Sequence, residues 1–198
     1  SKAIKLNDEA IAVGTKHGRT MLMAKYELIE STIIQNKNVG EIYSLAEELI
    51  GRAEEVEASI ILMRGYTGMG IIYMRSNEYE KAIDSFLKGI GVFRKMDLSK
   101  EEDKEGSGIE DILIALSKRA LGNPDISEEK KIFKTLEKQF DSGNDLSGYW
   151  RRYHAYELFG EKDGERFLKS AFDSVQEMKS SLKGDVLENF LNAYYVKQ

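Results

Sequence analysis

Apolar residues in this chain recur at spacings of three and four and form no convincing run of strict alternation. Leu22, Tyr26, Ile29 and Ile33 step by four, three and four positions, and Ile42, Leu45, Ala46, Leu49, Ile50 and Ala53 follow the same rule. Tyr66, Met69 and Tyr73, then Ile83, Phe86, Leu87 and Ile90, continue it. So do Ile109, Ile112, Leu113 and Leu116, then Ile132, Leu136 and Phe140. Tyr149, Tyr153 and Tyr156, then Phe167, Leu168, Ala171 and Val175, close the series before a terminal piece from Leu187 to Tyr195. A period near 3.6 gathers such residues on one face of a helix, whereas a strand would scatter them over both faces. The chain has a single proline, few threonine and valine residues, and abundant Ala, Leu, Glu and Lys, all of which favour helix.

The breaks between stripes are short. Asn36 to Gly40 and Arg75 to Glu78 read as tight turns, and Gly160 to Gly164 as another corner. Gly122 to Ser127 ends one helix and starts the next, with Ser127 expected as N-cap. The longest polar tract, Ser99 to Gly108, carries Glu101, Glu102, Asp103 and Glu105 and reads as a solvated connection, with an acidic docking segment as the sharper alternative. Short loops force neighbouring helices antiparallel. The expectation is therefore an all-α fold of about nine or ten helices in antiparallel pairs, one continuous body over residues 1–198.

Within that body, residues 1–18 read as a partial pair. Helix hairpins are expected at 19–58, 63–96, 107–141 and 147–180, with a terminal helix at 183–198. Ala3, Leu6, Ala10 and Val13 already share a face at the start, which suggests a piece of a larger protein.

Composition narrows the chemistry. The 198 residues include no cysteine and two histidines. Disulfide frameworks, thiolate metal sites and cysteine nucleophiles are excluded, and a multi-histidine metal centre nearly so. The net charge of −5 offers no field for a phosphate backbone, so no nucleic-acid partner is expected. No apolar run approaches the ~18 residues that span a bilayer, and the first residues lack a signal-peptide core. No membrane partner, metal or cofactor is expected, and a cytoplasmic location is the default.

One segment carries a specific pattern. Tyr66-x-x-Met69-Gly70-x-x-Tyr73, followed by Ala82-x-x-x-Phe86 and Gly89, resembles the tetratricopeptide repeat. Gly70 would let the second helix approach closely, and Ala82 and Gly89 would meet it. Tyr66, Tyr73 and Phe86 would fill the spaces between this pair and its neighbours. Asn77 to Glu80 takes the place of the usual turn, and Arg94 stands where proline is common, so the second helix should run on toward Met96. Tyr26, Ile29 and Ile33 stand 40 positions before Tyr66, Met69 and Tyr73, and Ala46, Ile50 and Ala53 stand 36 before Ala82, Phe86 and Gly89, with Glu30 in place of the glycine.

The resemblance implies a superhelix of stacked hairpins whose inner groove holds a protein, as a peptide or a partner helix, without doing chemistry. It directs Arg64, Thr67, Ile71 and Met74 into that groove, together with Ala24, Glu27, Ser31 and Ile34 of the earlier copy. The family subtype that clamps a terminal carboxylate uses Lys and Asn at places held here by Thr67 and Ile71, so that subtype is not implied. The functional expectation is a non-enzymatic interaction module within a regulatory or signalling protein. A peptide-sensing regulatory domain that changes curvature is the alternative.

Rival motifs are weaker. Gly65-x-x-Gly68-x-Gly70 lacks the Lys-Ser/Thr ending of a phosphate loop and lies inside a helical stripe. Asp141 to Gly148 misses the calcium-loop pattern, with Arg152 where glutamate is required. His154, beside Tyr153 and Tyr156, reads as a packed or surface residue, His17 as a helix-end residue, and Trp150 as a packing residue.

Overall fold

The computed structural model describes residues 39–96, 108–141 and 149–191. The expected partial pair at 1–18, the first helix of the 19–58 hairpin, the acidic connection and the last residues of the terminal helix lie outside them. The fold is all-α, and no strand occurs among the described residues. The chain divides into two compact units, Ser1–Ser99 and Lys100–Gln198.

The first unit contains α1 (Val39–Glu55), α2 (Ser59–Arg75) and α3 (Tyr79–Lys95), each 17 residues long. The two three-residue links share one geometry. At the first, the Ala58 N–H donates to the Ala53 carbonyl at 2.9 Å; at the second, the Glu78 N–H donates to the Tyr73 carbonyl, also at 2.9 Å. The middle residues, Glu57 (φ 52°) and Asn77 (φ 60°), adopt the left-handed conformation. This bond spans five residues back and satisfies carbonyls that a helix end would otherwise leave open. Asn77 tolerates that conformation better than most residues, while Glu57 adopts it against its Cβ sterics.

The apolar stripe Ile42, Ala46, Leu49 and Ala53 of α1 is buried to within 1% and packs with Ile61, Met69 and Ile72 of α2. Three glycines set the spacing of the helices. A Cβ on Gly65 would lie 2.9 Å from Ile50 Cγ1 of α1, and one on Gly70 would lie 2.3 Å from the Phe86 ring of α3. One on Gly89 would lie 3.2 Å from the Met63 carbonyl oxygen. Thus α2 has a glycine toward each neighbour, and Phe86, fully buried, occupies the space that Gly70 leaves. Burying such a ring stabilises by about 2–3 kcal/mol.

The second unit contains α4 (Ile109–Ala120), α5 (Ile126–Asp141), α6 (Tyr149–Ser181) and α7 (Gly184–Leu191). Ile112 and Ala115 of α4, Ile132 and Leu136 of α5, and Ala155, Leu158 and Phe167 of α6 form its core. The link between α4 and α5 closes like those of the first unit. Gly122 is left-handed (φ 76°), and the Asn123 N–H donates to the Lys118 carbonyl at 2.9 Å.

The N-cap of α5 is Asp125, not Ser127: Asp125 Oδ1 accepts the Glu128 N–H at 3.0 Å. Ser127 is already inside the first turn, where its hydroxyl cannot reach the third amide of the helix. Asp125-x-x-Glu128 has the spacing of a capping box, with aspartate in place of serine.

Helix α6 is a hairpin. Its path breaks at Gly160 (φ 72°, ψ −174°), a backbone region essentially restricted to glycine. Residues 149–159 and 161–181 then fold against each other. Gly164 packs onto the backbone of Tyr156, a Cβ there lying 3.0 Å from Tyr156 Cα, and Arg152 Nη1 donates to the Ser170 carbonyl at 3.1 Å. Arg152 also donates to the Ser174 hydroxyl. The corner expected over Gly160 to Gly164 is therefore a single residue.

Ion pairs tie these helices together. Arg119 of α4 grips Glu129 of α5 side-on through one guanidinium edge, Nε to Oε1 at 2.8 Å and Nη2 to Oε2 at 2.7 Å, with Glu129 only 5% exposed. Arg166 of α6 lies over the rings of Phe133 and Phe167, at 5.5 and 4.9 Å, and donates to Glu137 of α5 at 2.7 Å.

Candidate functional site

Arg64, Thr67, Ile71 and Met74 stand three, four and three residues apart on α2, so one helix presents them as a row. All four are half-buried. Their surroundings differ along the row. Thr67 donates its hydroxyl to the Met63 carbonyl at 3.2 Å and lies close to Gly89, on the α3 side. Ile71 rests its side chain against the α1–α2 core. Ile60, four residues before Arg64, is 51% exposed and extends the row by one turn. Sequence reasoning missed it, although an isoleucine one turn before Arg64, at the spacing of the row itself, was the available signal. Glu27 and Ser31, expected to face the same groove, lie outside the described residues.

A second cluster lines the seam between α1 and α2. The Tyr43 and Tyr73 hydroxyls are hydrogen-bonded at 3.0 Å, with their rings edge to face at 5.8 Å. Tyr66 donates to Glu54 Oε1 at 2.9 Å. From α3, Lys81 stands 5.5 Å over the Tyr73 ring, and Lys88 pairs with Asp84 of the same helix at 2.7 Å. The bond to Tyr73, then that to Glu47, pushes the Tyr43 phenol well above its ordinary value. Burial, then the hydrogen bond to Glu54, pushes Tyr66 up to about 12. These hydrogen bonds link the two helices, and the phenols keep their protons at neutral pH. Tyr66 and Tyr73, expected to fill space between neighbours, both reach back to α1.

Residues with possible catalytic chemistry are placed differently. His154 is buried, and its Nδ1 lies 2.5 Å from Glu157 Oε2, three residues on along the same helix. The pair ties adjacent turns of α6, as that spacing does on any helix. Gly65 and Gly70, the outer glycines of the apparent phosphate motif, serve helix packing. Among the described residues, no group of three or more histidine, aspartate or glutamate side chains could hold a metal ion, and no helix is long and apolar enough to cross a membrane. His17 lies outside the described residues, as does the side chain of Trp150. Comparison of the chain with protein-family models, with curated proteins and with solved structures found no match.

Proposed function

We propose that this chain is an interaction module of the tetratricopeptide type, which works by holding a protein segment against the outward row of α2. The supporting observation is how α2 uses its circumference. Five residues separate Gly65, turned toward α1, from Gly70, turned toward α3, which places them about 140° apart around the helix. Arg64 and Ile71 fall in the remaining sector, about 100–120° from the nearer glycine on either side. Ile60, Arg64, Thr67, Ile71 and Met74 therefore offer two apolar branched side chains, a thioether, a hydroxyl and one guanidinium on a ridge that neither neighbour fully covers. Such a mixture suits an amphipathic peptide or helix better than a small charged molecule.

The test is a pull-down with the chain as bait. The double variant Arg64→Glu with Ile71→Asp should lose the partners that the wild type retains, with circular dichroism establishing that both forms are equally helical. Identical partner sets for two equally helical baits would show that this face is not the binding surface.

A further inference from the structure

Helix α5 sorts its charges by sign. Its three glutamates are all engaged by cations from other helices: Glu128 by Lys118 at 3.9 Å, Glu129 by Arg119 at 2.7 Å and Glu137 by Arg166 at 2.7 Å. Its lysines Lys130, Lys131, Lys134 and Lys138 are all exposed, and among the described residues none of them forms an ion pair. Because the three glutamates are engaged elsewhere, the four ammonium groups form a like-charged ridge over roughly two turns, on a chain whose net charge is −5. Ile126, 53% exposed, stands one turn before Lys130 in the same row.

We infer that this lysine ridge of α5 is a second docking surface, and that its partner is an acidic protein segment carrying carboxylates at helical spacing with an apolar side chain at the Ile126 end. The ridge supplies the complementary charge, since lysines at every fourth position stand about 6 Å apart along the axis, matching carboxylates spaced four apart on a partner helix. A nucleic acid fits less well. The ridge contains no arginine, and Phe133 of α5 is covered by Arg166 and is not offered for bases to stack on. An anionic membrane also fits less well, because Ile132 and Leu136 are buried in the core and Ile126 alone is a small apolar surface to insert.

The experiment measures fluorescence anisotropy of a labelled synthetic helical peptide bearing glutamate at every fourth position. It compares the wild type with the triple variant Lys130→Gln, Lys134→Gln, Lys138→Gln, whose exposed positions leave the core untouched. The wild type should bind, about tenfold more tightly than the variant, and its affinity should fall steeply between about 50 and about 200 mM salt. The surface assignment is overturned if the wild type does not bind the peptide or if both forms bind it equally. Tighter lysine-dependent binding of a single-stranded oligonucleotide, or of vesicles rich in phosphatidylserine, would overturn the assignment of an acidic protein as partner.

Discussion

Gly70 lies beneath the ring of Phe86, so close that a single added carbon would overlap it at 2.3 Å. The contact is to ring carbons of a fully buried residue with no room to withdraw. Gly70→Ala should therefore destabilise the first unit, by about 1–3 kcal/mol from overpacking, against a gain of up to ~1 kcal/mol in helix propensity. Gly51 of α1 and Gly91 of α3 face open space. Alanine at either should stabilise by roughly 0.5–1 kcal/mol, so thermal melts of the three variants should move in opposite directions.

The left-handed Glu57 yields a second outcome. Glycine costs nothing in that conformation, so Glu57→Gly should stabilise the α1–α2 link by about 0.5–1 kcal/mol. Urea denaturation should show a higher midpoint at an unchanged slope.

Breaking the Arg119–Glu129 pair should be asymmetric. Arg119→Met leaves a carboxylate buried without its counter-charge and should cost about 2 kcal/mol or more, while Glu129→Met removes the buried charge and leaves Arg119 with access to solvent, and should cost less. A double-mutant cycle read by denaturant midpoints checks both values and their coupling.

Alkaline titration tests the tyrosine seam. Tyr66 ionises near 12 in the folded chain, against about 10 when unfolded. Its contribution to stability is therefore fully present below pH 10 and is lost as the pH rises through about 12. Tyr43, also raised, acts in the same direction. In tyrosinate absorbance, Tyr66→Phe and Tyr43→Phe should each remove a late-ionising component, and the wild type should lose helicity as that component titrates.

The helical stripes were legible because burial selects by period: Ile42, Ala46, Leu49 and Ala53 are what one helical face requires, and the structure buries all four. The run of α3 to Lys95, past the place where proline is common, followed from Arg94. Cap chemistry was read less well, because Asp125 and Ser127 are both good caps, and only the path of the chain decides which one precedes the first turn. The close approach of α3 at Gly70 was readable from the Tyr66-to-Gly89 pattern, but its partner was not: Phe86, expected between this pair and its neighbours, meets Gly70 within the pair, and Gly89 meets Met63 instead. The approach at Gly65 was not readable at all, since the pattern says nothing of its meeting with Ile50 of α1. Arg64, Thr67, Ile71 and Met74 could be placed on one face by counting alone, but their differing burial depends on which helices flank α2.

The break at Gly160 makes a single residue decide the shape of α6. Only one dihedral pair separates the folded-back hairpin from an unbroken rod of 33 residues, about 50 Å long. A side chain at that position would favour the rod. Straightening would carry Phe167 away from Leu158 and Ala155, leaving an apolar flank that the same flank of another straightened molecule could cover. Replacing Gly160 would then favour an exchanged dimer, although a Cβ at that position would meet no atom within 4 Å.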